Sequence, residues 1–222
     1  MVRAGTVVVV NDRAPHYFDA QPATPSRRRR VDLHLPDVSL SLTTDAGVFS
    51  GDRVDPGTRL LLQEAPPPPQ DGDLLDLGCG YGAMAVTLAR RAPRARVWAV
   101  DVNERAVELC RDNATHNDAR VRAVTVDTDG SALEPATAFP RFDLIWSNPP
   151  IRIGKPALHA LLTTWLARLS AAGYAVLVVQ RHLGADSLAA WLTTQGWPTE
   201  RLASRAGYRL LSVTSESSAD GP

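Results

Sequence analysis

The chain has 222 residues, 44% of them hydrophobic and 22% charged, which is enough to bury the core of one ordinary domain with room for an N-terminal extension. Its 24 Lys and Arg residues balance 24 Asp and Glu residues, which argues against binding to nucleic acid or a membrane through net charge alone. No apolar run approaches the roughly 18 residues of a membrane span. The only cysteines, Cys79 and Cys110, have neither disulfide-framework nor zinc-site spacing. We therefore expect a soluble, cytoplasmic protein without a metal site.

Residues 1–70 are predicted to form a β-rich N-terminal extension. Apolar and polar residues alternate on both sides of Pro36-Asp37, which is the pattern of a half-buried hairpin. The alternating apolar residues are Val31, Leu33, Leu35, Val38, Leu40 and Leu42. Four arginines at 27–30 precede the hairpin and fit either a charged, solvated edge or a phosphate contact. Four prolines at 66–69 predict a stiff connector to the second part.

Residues 71–214 alternate short apolar runs with helical patterns. The runs predict strands at 74–77, 97–102, 121–126, 142–146 and 174–179. Helices are predicted at 82–91, 104–116, 158–169 and 183–195, with Asn103 capping the second and Pro156 in the first turn of the third. Segments 202–204 and 209–213 flank Ala206-Gly207 and predict a closing hairpin.

This alternation predicts an α/β fold: a doubly wound, Rossmann-like sheet of seven mostly parallel strands with a small N-terminal β extension. In such a sheet the ligand crevice lies beyond the carboxyl ends of the strands. Residues 215–222 are predicted to be a flexible tail.

A glycine-rich turn, Asp-Leu-Gly-Cys-Gly-Tyr-Gly at 76–82, follows the first strand of this sheet. Glycines let the backbone turn sharply and approach a ligand closely. Dinucleotide sites prefer Gly-x-Gly-x-x-Gly, and Asp76 would repel a pyrophosphate. An acidic residue at this point suits a ligand with a cationic end, such as the amino group of a methionine moiety.

Further acidic residues follow the next two strands. Asp101 lies about 20 residues beyond the glycine turn, where a carboxylate can accept hydrogen bonds from two ribose hydroxyls. Asp127 and Asp129 follow the third strand. One of them can accept a hydrogen bond from an adenine amino group, but Asp-x-Asp-Gly is also a favourable turn sequence.

Asn148, Pro149 and Pro150 follow the fourth strand. Consecutive prolines force an extended backbone that lacks N–H donors. The Asn148 side-chain oxygen and the Pro149 carbonyl are then two acceptors, which can hold both hydrogens of a planar exocyclic amine and orient its nitrogen lone pair. The alternative is a strand that simply ends at a proline turn.

Together these motifs resemble class I S-adenosylmethionine-dependent methyltransferases, and Asn-Pro-Pro resembles the subset that modifies exocyclic or amide nitrogens. Residues 45–50 and 55–62 resemble the "methyltransferase small" domain group, which includes the bacterial small-subunit ribosomal RNA guanine-N2 methyltransferases. Residues 148–155 and 180–185 are similar to its short single-domain members. The resemblance covers about residues 16–213 and implies that residues 1–70 also cover the cofactor. Because the chain is short, we expect it to lack the extra N-terminal domain of the larger rRNA enzymes.

The resemblance implies S-adenosylmethionine as cofactor, S-adenosylhomocysteine as product and ribosomal RNA as substrate, with no membrane partner and a monomer or homodimer as the assembly. The implied cofactor-binding residues are Phe49, Asp55, Thr58, Asp76, Gly78, Cys79, Gly80, Asp101, Val102, Asp127, Asp129 and Asn148. The implied catalytic residues are Asn148, Pro149 and Pro150.

The substrate-binding residues are expected to be Ile151, Arg152 and Lys155. Arg152 and Lys155 fit either a phosphate contact or a solvated loop and helix start. Ile151 stands where the family often has Phe or Tyr, which is thought to stack on the target base. Methylation of a protein glutamine at N5, which also uses Asn-Pro-Pro but usually followed by Tyr, and methylation of a small-molecule amine are alternatives. A binding module without catalysis is disfavoured because Asp101 and the Asn-Pro-Pro are present.

Overall fold

A computed structural model describes residues 24–134 and 138–215 of the chain. Residues 1–23 of the predicted extension and residues 216–222 of the predicted tail lie outside the described residues. Within the described part, none of the helices combines the length and apolarity needed to cross a membrane.

The described residues form nine strands and five α-helices. The strands are β1 (Arg29–His34), β2 (Ser39–Thr44), β3 (Asp73–Leu77), β4 (Arg96–Asp101), β5 (Val121–Thr125), β6 (Phe142–Ser147), β7 (Leu169–Gln180), β8 (Thr199–Arg205) and β9 (Tyr208–Thr214). The helices are α1 (Pro56–Glu64), α2 (Ala83–Arg91), α3 (Glu104–His116), α4 (Lys155–Leu166) and α5 (Ala185–Thr194), and short 3₁₀ turns lie at Ile151–Ile153 and Arg181–Leu183.

The predicted Rossmann-like sheet is confirmed, with seven strands in the order β5-β4-β3-β6-β7-β9-β8. The first five are parallel, and β9 pairs antiparallel with both β7 and β8. Side chains alternate across the sheet, so Leu74 and Leu144 pack with α2 and α3 on one face. Leu75 and Ile145 pack with α4 and α5 on the other face. Both faces of β3 are therefore buried, which explains its continuous apolar sequence.

The predicted hairpin forms a separate two-stranded sheet, in which Leu33 pairs with Leu40. Two asparagines, one on α3 and one capping its C-terminus, attach this sheet to the rest of the fold. Asn113 accepts a hydrogen bond from the Thr43 N–H at 2.7 Å and donates one to the Thr43 carbonyl at 2.7 Å. Asn117 makes the same pair of bonds with Ser41. Each carboxamide thus bonds both the N–H and the carbonyl of one residue of β2, as a neighbouring strand would.

The four arginines at 27–30 lie at the start of β1. Arg28 pairs with Asp112 at 3.3 Å, Arg30 pairs with Asp32 at 3.4 Å, and Arg29 pairs with Asp52. These exposed ion pairs favour the charged, solvated edge over the phosphate contact.

Two elements differ from the sequence prediction. Helix α1 was not predicted; it begins after Asp55, whose side chain accepts the Thr58 N–H at 3.0 Å, and it places Pro56 in its first turn. Helix α4 ends at Leu166, so the predicted extension to Leu169 is wrong, because Leu169 already pairs with Phe142 in the sheet.

Candidate active site

The residues with candidate chemistry follow the carboxyl ends of the parallel strands. Strand order reverses between β3 and β6, because β4 lies on one side of β3 and β6 lies on the other. A crevice opens at such a switch point. The glycine turn follows β3 and Asn148 follows β6, so the two strongest sequence motifs border the same crevice.

Three adjoining cavities form this crevice. The central cavity, of about 50 Å³, shares Gly78, Asp101 and Pro150 with an apolar cavity of about 240 Å³. It also shares Phe49, Asn148 and Pro149 with an outer cavity of about 320 Å³. A ligand in the central and apolar cavities would therefore meet a second ligand in the outer cavity beside Asn148 and Pro149.

The glycine turn is held by the neighbouring strand. The N–H groups of Gly78 and Cys79 donate to the Val100 carbonyl at 2.9 and 3.0 Å, and the Gly80 N–H donates to Asp101 Oδ2 at 2.9 Å. Gly78 and Gly80 have positive φ, and a Cβ on Gly78 would enter open space. Since these three N–H groups are already bonded, they are not free to donate to a pyrophosphate.

Asp101 lines both the central and the apolar cavity. Its Oδ2 accepts the Gly80 N–H, and its Oδ1 accepts the Asn103 N–H at 3.0 Å. Burial raises the pKa of the Asp101 carboxyl above its usual value, although these backbone bonds oppose the shift. Each oxygen retains a lone pair for a ligand hydroxyl.

A loop from the N-terminal part covers the central cavity. Asn103 donates from Nδ2 to the Gly47 carbonyl at 2.9 Å, and Arg105 donates to the Ala46 carbonyl at 2.7 Å. These bonds fix the loop that carries Val48 and Phe49, which both line the central cavity. The sequence predicted Asn103 only as a helix cap, which it is, through its bond to the Ala106 N–H.

The structure places Asp76 and Cys79 beneath the glycine turn, outside the linings of the three cavities. Asp76 is fully buried and accepts the Ala85 N–H at 2.8 Å, while its other oxygen has no partner among the described residues. Burial raises the pKa of Asp76 to about 8. A hydrogen bond with Cys110, together with burial, raises the pKa of the Cys79 thiol. Direct cofactor contacts by these two side chains stay predictions.

The two acidic residues after β5 are separated by the fold. Asp127 lines the apolar cavity with Val102, Ile153 and Leu161. Asp129 is exposed and outside that lining; its Oδ1 accepts hydrogen bonds from the backbone and side chain of Ser131. The hydrogen bonds of Asp129 therefore stabilise a turn, the alternative role predicted for it. Asp127 lines the apolar cavity, which suits a flat apolar ring.

Asn148 has a fixed side chain. Its Nδ2 donates to Asp55 Oδ2 at 2.9 Å and to Thr58 Oγ1 at 3.1 Å. Both amide hydrogens are thereby used, so the carbonyl oxygen Oδ1 remains as an acceptor between the central and outer cavities. Asp55 and Thr58 thus contact Asn148, and Asp55 also lines the outer cavity.

The Pro149 carbonyl is less free than the sequence suggested. It accepts the Ile151 N–H at 2.8 Å, because the chain turns into a 3₁₀ segment directly after the prolines. A carbonyl oxygen has two lone pairs, so one remains for a ligand hydrogen. Pro149 and Pro150 are buried and line the central cavity, as the prediction of a site at this position requires.

The outer cavity contains residues from both halves of the chain. Of the three residues predicted to bind substrate, Ile151 and Arg152 line this cavity, while Lys155 is exposed at the start of α4 and lies outside the lining. Gln180 and Tyr208 also line it and were not identified from the sequence. They face each other across the antiparallel pair β7–β9, which no local motif reveals.

Comparisons with known proteins agree on one kind of protein. The family model described as "Methyltransferase small domain" matches residues 39–212. "Uncharacterized protein YbxB" of Bacillus subtilis (strain 168) is 36% identical over 172 residues, which cover 78% of this chain and 84% of that protein. Ribosomal RNA small subunit methyltransferase C of Pseudomonas putida (strain GB-1) is 38% identical over 146 residues, 66% of this chain and 41% of that protein.

A solved structure extends the comparison to the fold. The T. thermophilus 16S rRNA N2 G1207 methyltransferase (RsmC), in complex with AdoMet and guanosine, superposes with a TM-score of 0.72 and 28% identity over 87% of this chain. The match covers 52% of that protein. The chain thus spans about half the length of the named ribosomal RNA methyltransferases that it matches.

The switch point of this Rossmann-like sheet brings together the glycine turn, a carboxylate suited to ribose hydroxyls and the Asn-Pro-Pro motif. These features define an S-adenosylmethionine-dependent methyltransferase. The match over residues 39–212 is specific enough to identify the group within that class. The chain belongs to the methyltransferase small domain family.

The crevice fits S-adenosylmethionine. The apolar cavity suits the flat adenine, and carboxylates lie at its polar ends, where hydroxyl and amino groups need acceptors. Open space beside the α-carbon of Gly78 lets a ligand lie directly against the turn.

Proposed function

We propose that this enzyme methylates the exocyclic N2 amine of a guanine in ribosomal RNA, in the cytoplasm. The matched P. putida and T. thermophilus proteins are named as ribosomal RNA methyltransferases, and the second is named for N2 of a guanine. The orientation of Asn148 carries the proposal. With both amide hydrogens bonded to Asp55 and Thr58, the Asn148 oxygen can only accept a hydrogen bond, as recognition of an NH₂ group requires.

In this proposal Asn148 Oδ1 and the remaining lone pair of the Pro149 carbonyl each accept one hydrogen of the target amine. The two bonds turn the nitrogen lone pair toward the central cavity, where the cofactor supplies a methyl group on a positively charged sulfur. Neither oxygen is a strong base, so rate enhancement comes from alignment of the reacting atoms. The proton leaves the methylated nitrogen to water.

The cofactor contacts that we propose follow the cavities. Asp101 accepts from the ribose hydroxyls, Asp127 accepts from the adenine amino group, and Val102 packs on the adenine ring. Phe49 covers the methionine end, because it lies on the loop over the central cavity. Asp76 supports the turn from below.

The surface around the outer cavity favours RNA over a small-molecule acceptor. Arg152 and Arg181 are exposed on the two 3₁₀ segments beside this cavity, and Lys155 follows at the start of α4. Within residues 24–134 and 138–215, none of these three cations forms an ion pair with a carboxylate. We propose that they contact backbone phosphates near the target base.

Mass spectrometry of nucleosides from ribosomal RNA tests the proposal. RNA from cells without the gene is expected to lack one N2-methylguanosine that reappears when the wild-type gene is restored, but not when the Asn148→Ala gene is restored. Unchanged ribosomal nucleosides, with methyl label instead on a protein glutamine or a metabolite, would refute the RNA assignment.

A further inference from the structure

The outer cavity contains a polar pair that the methyl transfer itself does not use. Gln180, the last residue of β7, donates from Nε2 to the hydroxyl of Tyr208, the first residue of β9, at 2.8 Å. Both residues line the outer cavity together with Asn148 and Ile151. What this pair can recognise follows from the direction of its hydrogen bond.

The bond leaves the hydroxyl hydrogen of Tyr208 and the side-chain oxygen of Gln180 for a ligand, besides the second Nε2 hydrogen of Gln180. Since the Tyr208 oxygen accepts the hydrogen from Gln180, the phenol retains its own hydrogen and can donate it. Since the Gln180 amide donates through nitrogen, its Oε1 remains an acceptor, and no protein donor among the described residues bonds to it.

The pair is held close to the residues that orient Asn148. A Cβ built on Gly57 would lie 2.7 Å from Tyr208 Cε1 and 2.9 Å from Asp55 Oδ2. The Tyr208 ring and the Asp55 carboxylate therefore flank the same glycine on α1, and Asp55 bonds directly to Asn148. Both polar pairs therefore lie beside the first turn of α1, and Gln180 and Tyr208 line the outer cavity together with Asp55 and Asn148.

The combined pattern is complementary to one edge of guanine. That edge presents, in order, the N2 hydrogens, the N1 hydrogen and the O6 acceptor. Asn148 Oδ1 accepts at N2, Gln180 Oε1 can accept at N1, and the Tyr208 hydroxyl can donate to O6. Adenine presents an acceptor at N1 and donors at N6, so it would place like groups against this pair.

We propose that Gln180 and Tyr208 select guanine as the acceptor base, by hydrogen bonds to N1 and O6. The assignment rests on the proposed function and adds to it the residues that determine base specificity. It also gives a recognition role to the antiparallel strands, and it needs no aromatic residue at position 151.

A base analogue tests this assignment. The probe is a transcript of the ribosomal RNA region that contains the methylated guanine, made with guanine or with 2-aminopurine at that position. 2-Aminopurine keeps the N2 amine but lacks the N1 hydrogen and O6. The wild-type enzyme is expected to prefer guanine on the order of 100-fold in kcat/KM, because both polar side chains are unsatisfied by the analogue.

Tyr208→Phe keeps the ring and removes the donor. It is expected to lower kcat/KM for the guanine RNA about 10-fold and to leave that for the 2-aminopurine RNA unchanged, so selectivity falls by the same factor. Gln180→Leu is the independent second variant, with the same expectation. Tyr174→Phe, at the other end of the β7–β9 pairing and outside the cavity, is the matched control and should keep wild-type selectivity.

The outcomes separate this assignment from the proposed function. If the wild-type enzyme methylates guanine but both variants keep its selectivity, or lose activity equally on both RNAs, the assignment to Gln180 and Tyr208 is wrong and the function stands. If the wild-type enzyme methylates neither RNA and no ribosomal guanine, both are wrong.

Discussion

The two halves of the crevice are built from different parts of the sheet. The half that we propose holds the cofactor follows β3, β4 and β5, so its residues come from consecutive strand ends. The half beside the outer cavity adds Gln180 and Tyr208, which an antiparallel pairing brings together from 28 residues apart. The first half has a mainly apolar lining that includes Asp101 and Asp127, and the second has exposed cations beside it. In the proposed function, cofactor binding and substrate choice are therefore carried by separate walls, which meet at Asn148.

Asn148 lies where the halves meet, so its loss gives the largest expected effect. Asn148→Ala should lower the single-turnover rate of methyl transfer on the order of 100-fold or more, because the amine is no longer aligned. The affinity for S-adenosylhomocysteine, measured by calorimetry, should stay within about 3-fold of wild type. Gln63→Ala, an exposed carboxamide on α1, is the control. An equal loss of cofactor affinity would show that Asn148 does not separate the two halves.

Asp55 tests the acceptor half through the orientation of Asn148. Serine is also a good helix cap, so Asp55→Ser keeps the start of α1 but removes the carboxylate from Asn148 Nδ2. The transfer rate should fall about 10-fold, as expected for loss of one charge-assisted hydrogen bond. Asp55→Ala should add a loss of about 1 kcal/mol in urea unfolding. A wild-type rate for Asp55→Ser would show that Asn148 needs no such support.

Asp101 tests the cofactor half alone. In Asp101→Asn the side-chain NH₂ group would face the backbone N–H of either Gly80 or Asn103, so two donors would oppose each other. The negative charge that faces the ribose is also lost. The dissociation constant for S-adenosylhomocysteine should rise about 10-fold. Asp129→Asn, on the exposed turn, should leave it unchanged. Weaker cofactor binding by Asp129→Asn, with unchanged binding by Asp101→Asn, would show that the carboxylate in contact with the cofactor lies after β5 and not at the end of β4.

Asp76 predicts a pH dependence of stability from the cofactor half. Burial raises its pKa from 3.8 to about 8, so the folded state holds a proton that the unfolded state releases between these values. The contribution of Asp76 to the free energy of unfolding is greatest below pH 3.8. It declines as the pH rises and is lost by about pH 8. Asp76→Asn should remove this decline in urea unfolding measured across the range. Parallel curves for the two proteins would contradict the assignment.

The exposed cations should give the smallest effect, confined to the acceptor half. Arg152→Ala is expected to raise KM for RNA about 5-fold and to reduce the slope of log affinity against log salt by about 1, with kcat unchanged. Arg94→Ala, in the turn before β4 at the opposite end of the sheet, is the matched control. An identical loss in both variants would indicate nonspecific attraction.

The sequence predicted the cofactor half better than the acceptor half, for a physical reason. Parallel strands put all their carboxyl ends at one edge, so residues just after predicted strands could be assigned to one crevice. The helix α1 was missed because Pro56 and Gly57 disfavour a helix interior, although both fit its first turn. Gln180 and Tyr208 could not be found, since their pairing depends on the register of β7 and β9.

Burial also separated residues that the sequence treated alike. Asp76 and Asp101 both follow strand patterns, but the side-chain alternation of β3 directs Asp76 toward α2, where it bonds to Ala85. Asp127 and Asp129 lie close together in the chain, but only Asp127 lines the apolar cavity. Local sequence patterns do not determine these side-chain directions at strand ends.

A crystal structure with S-adenosylhomocysteine and guanosine bound would test the central claim most directly. The account predicts the guanine in the outer cavity, with its N2 about 3 Å from Asn148 Oδ1 and facing the cofactor sulfur. It also predicts that the bonds from Asn148 Nδ2 to Asp55 and Thr58 persist. A guanine bound elsewhere, or an Asn148 that presents its amide nitrogen to the base, would contradict it.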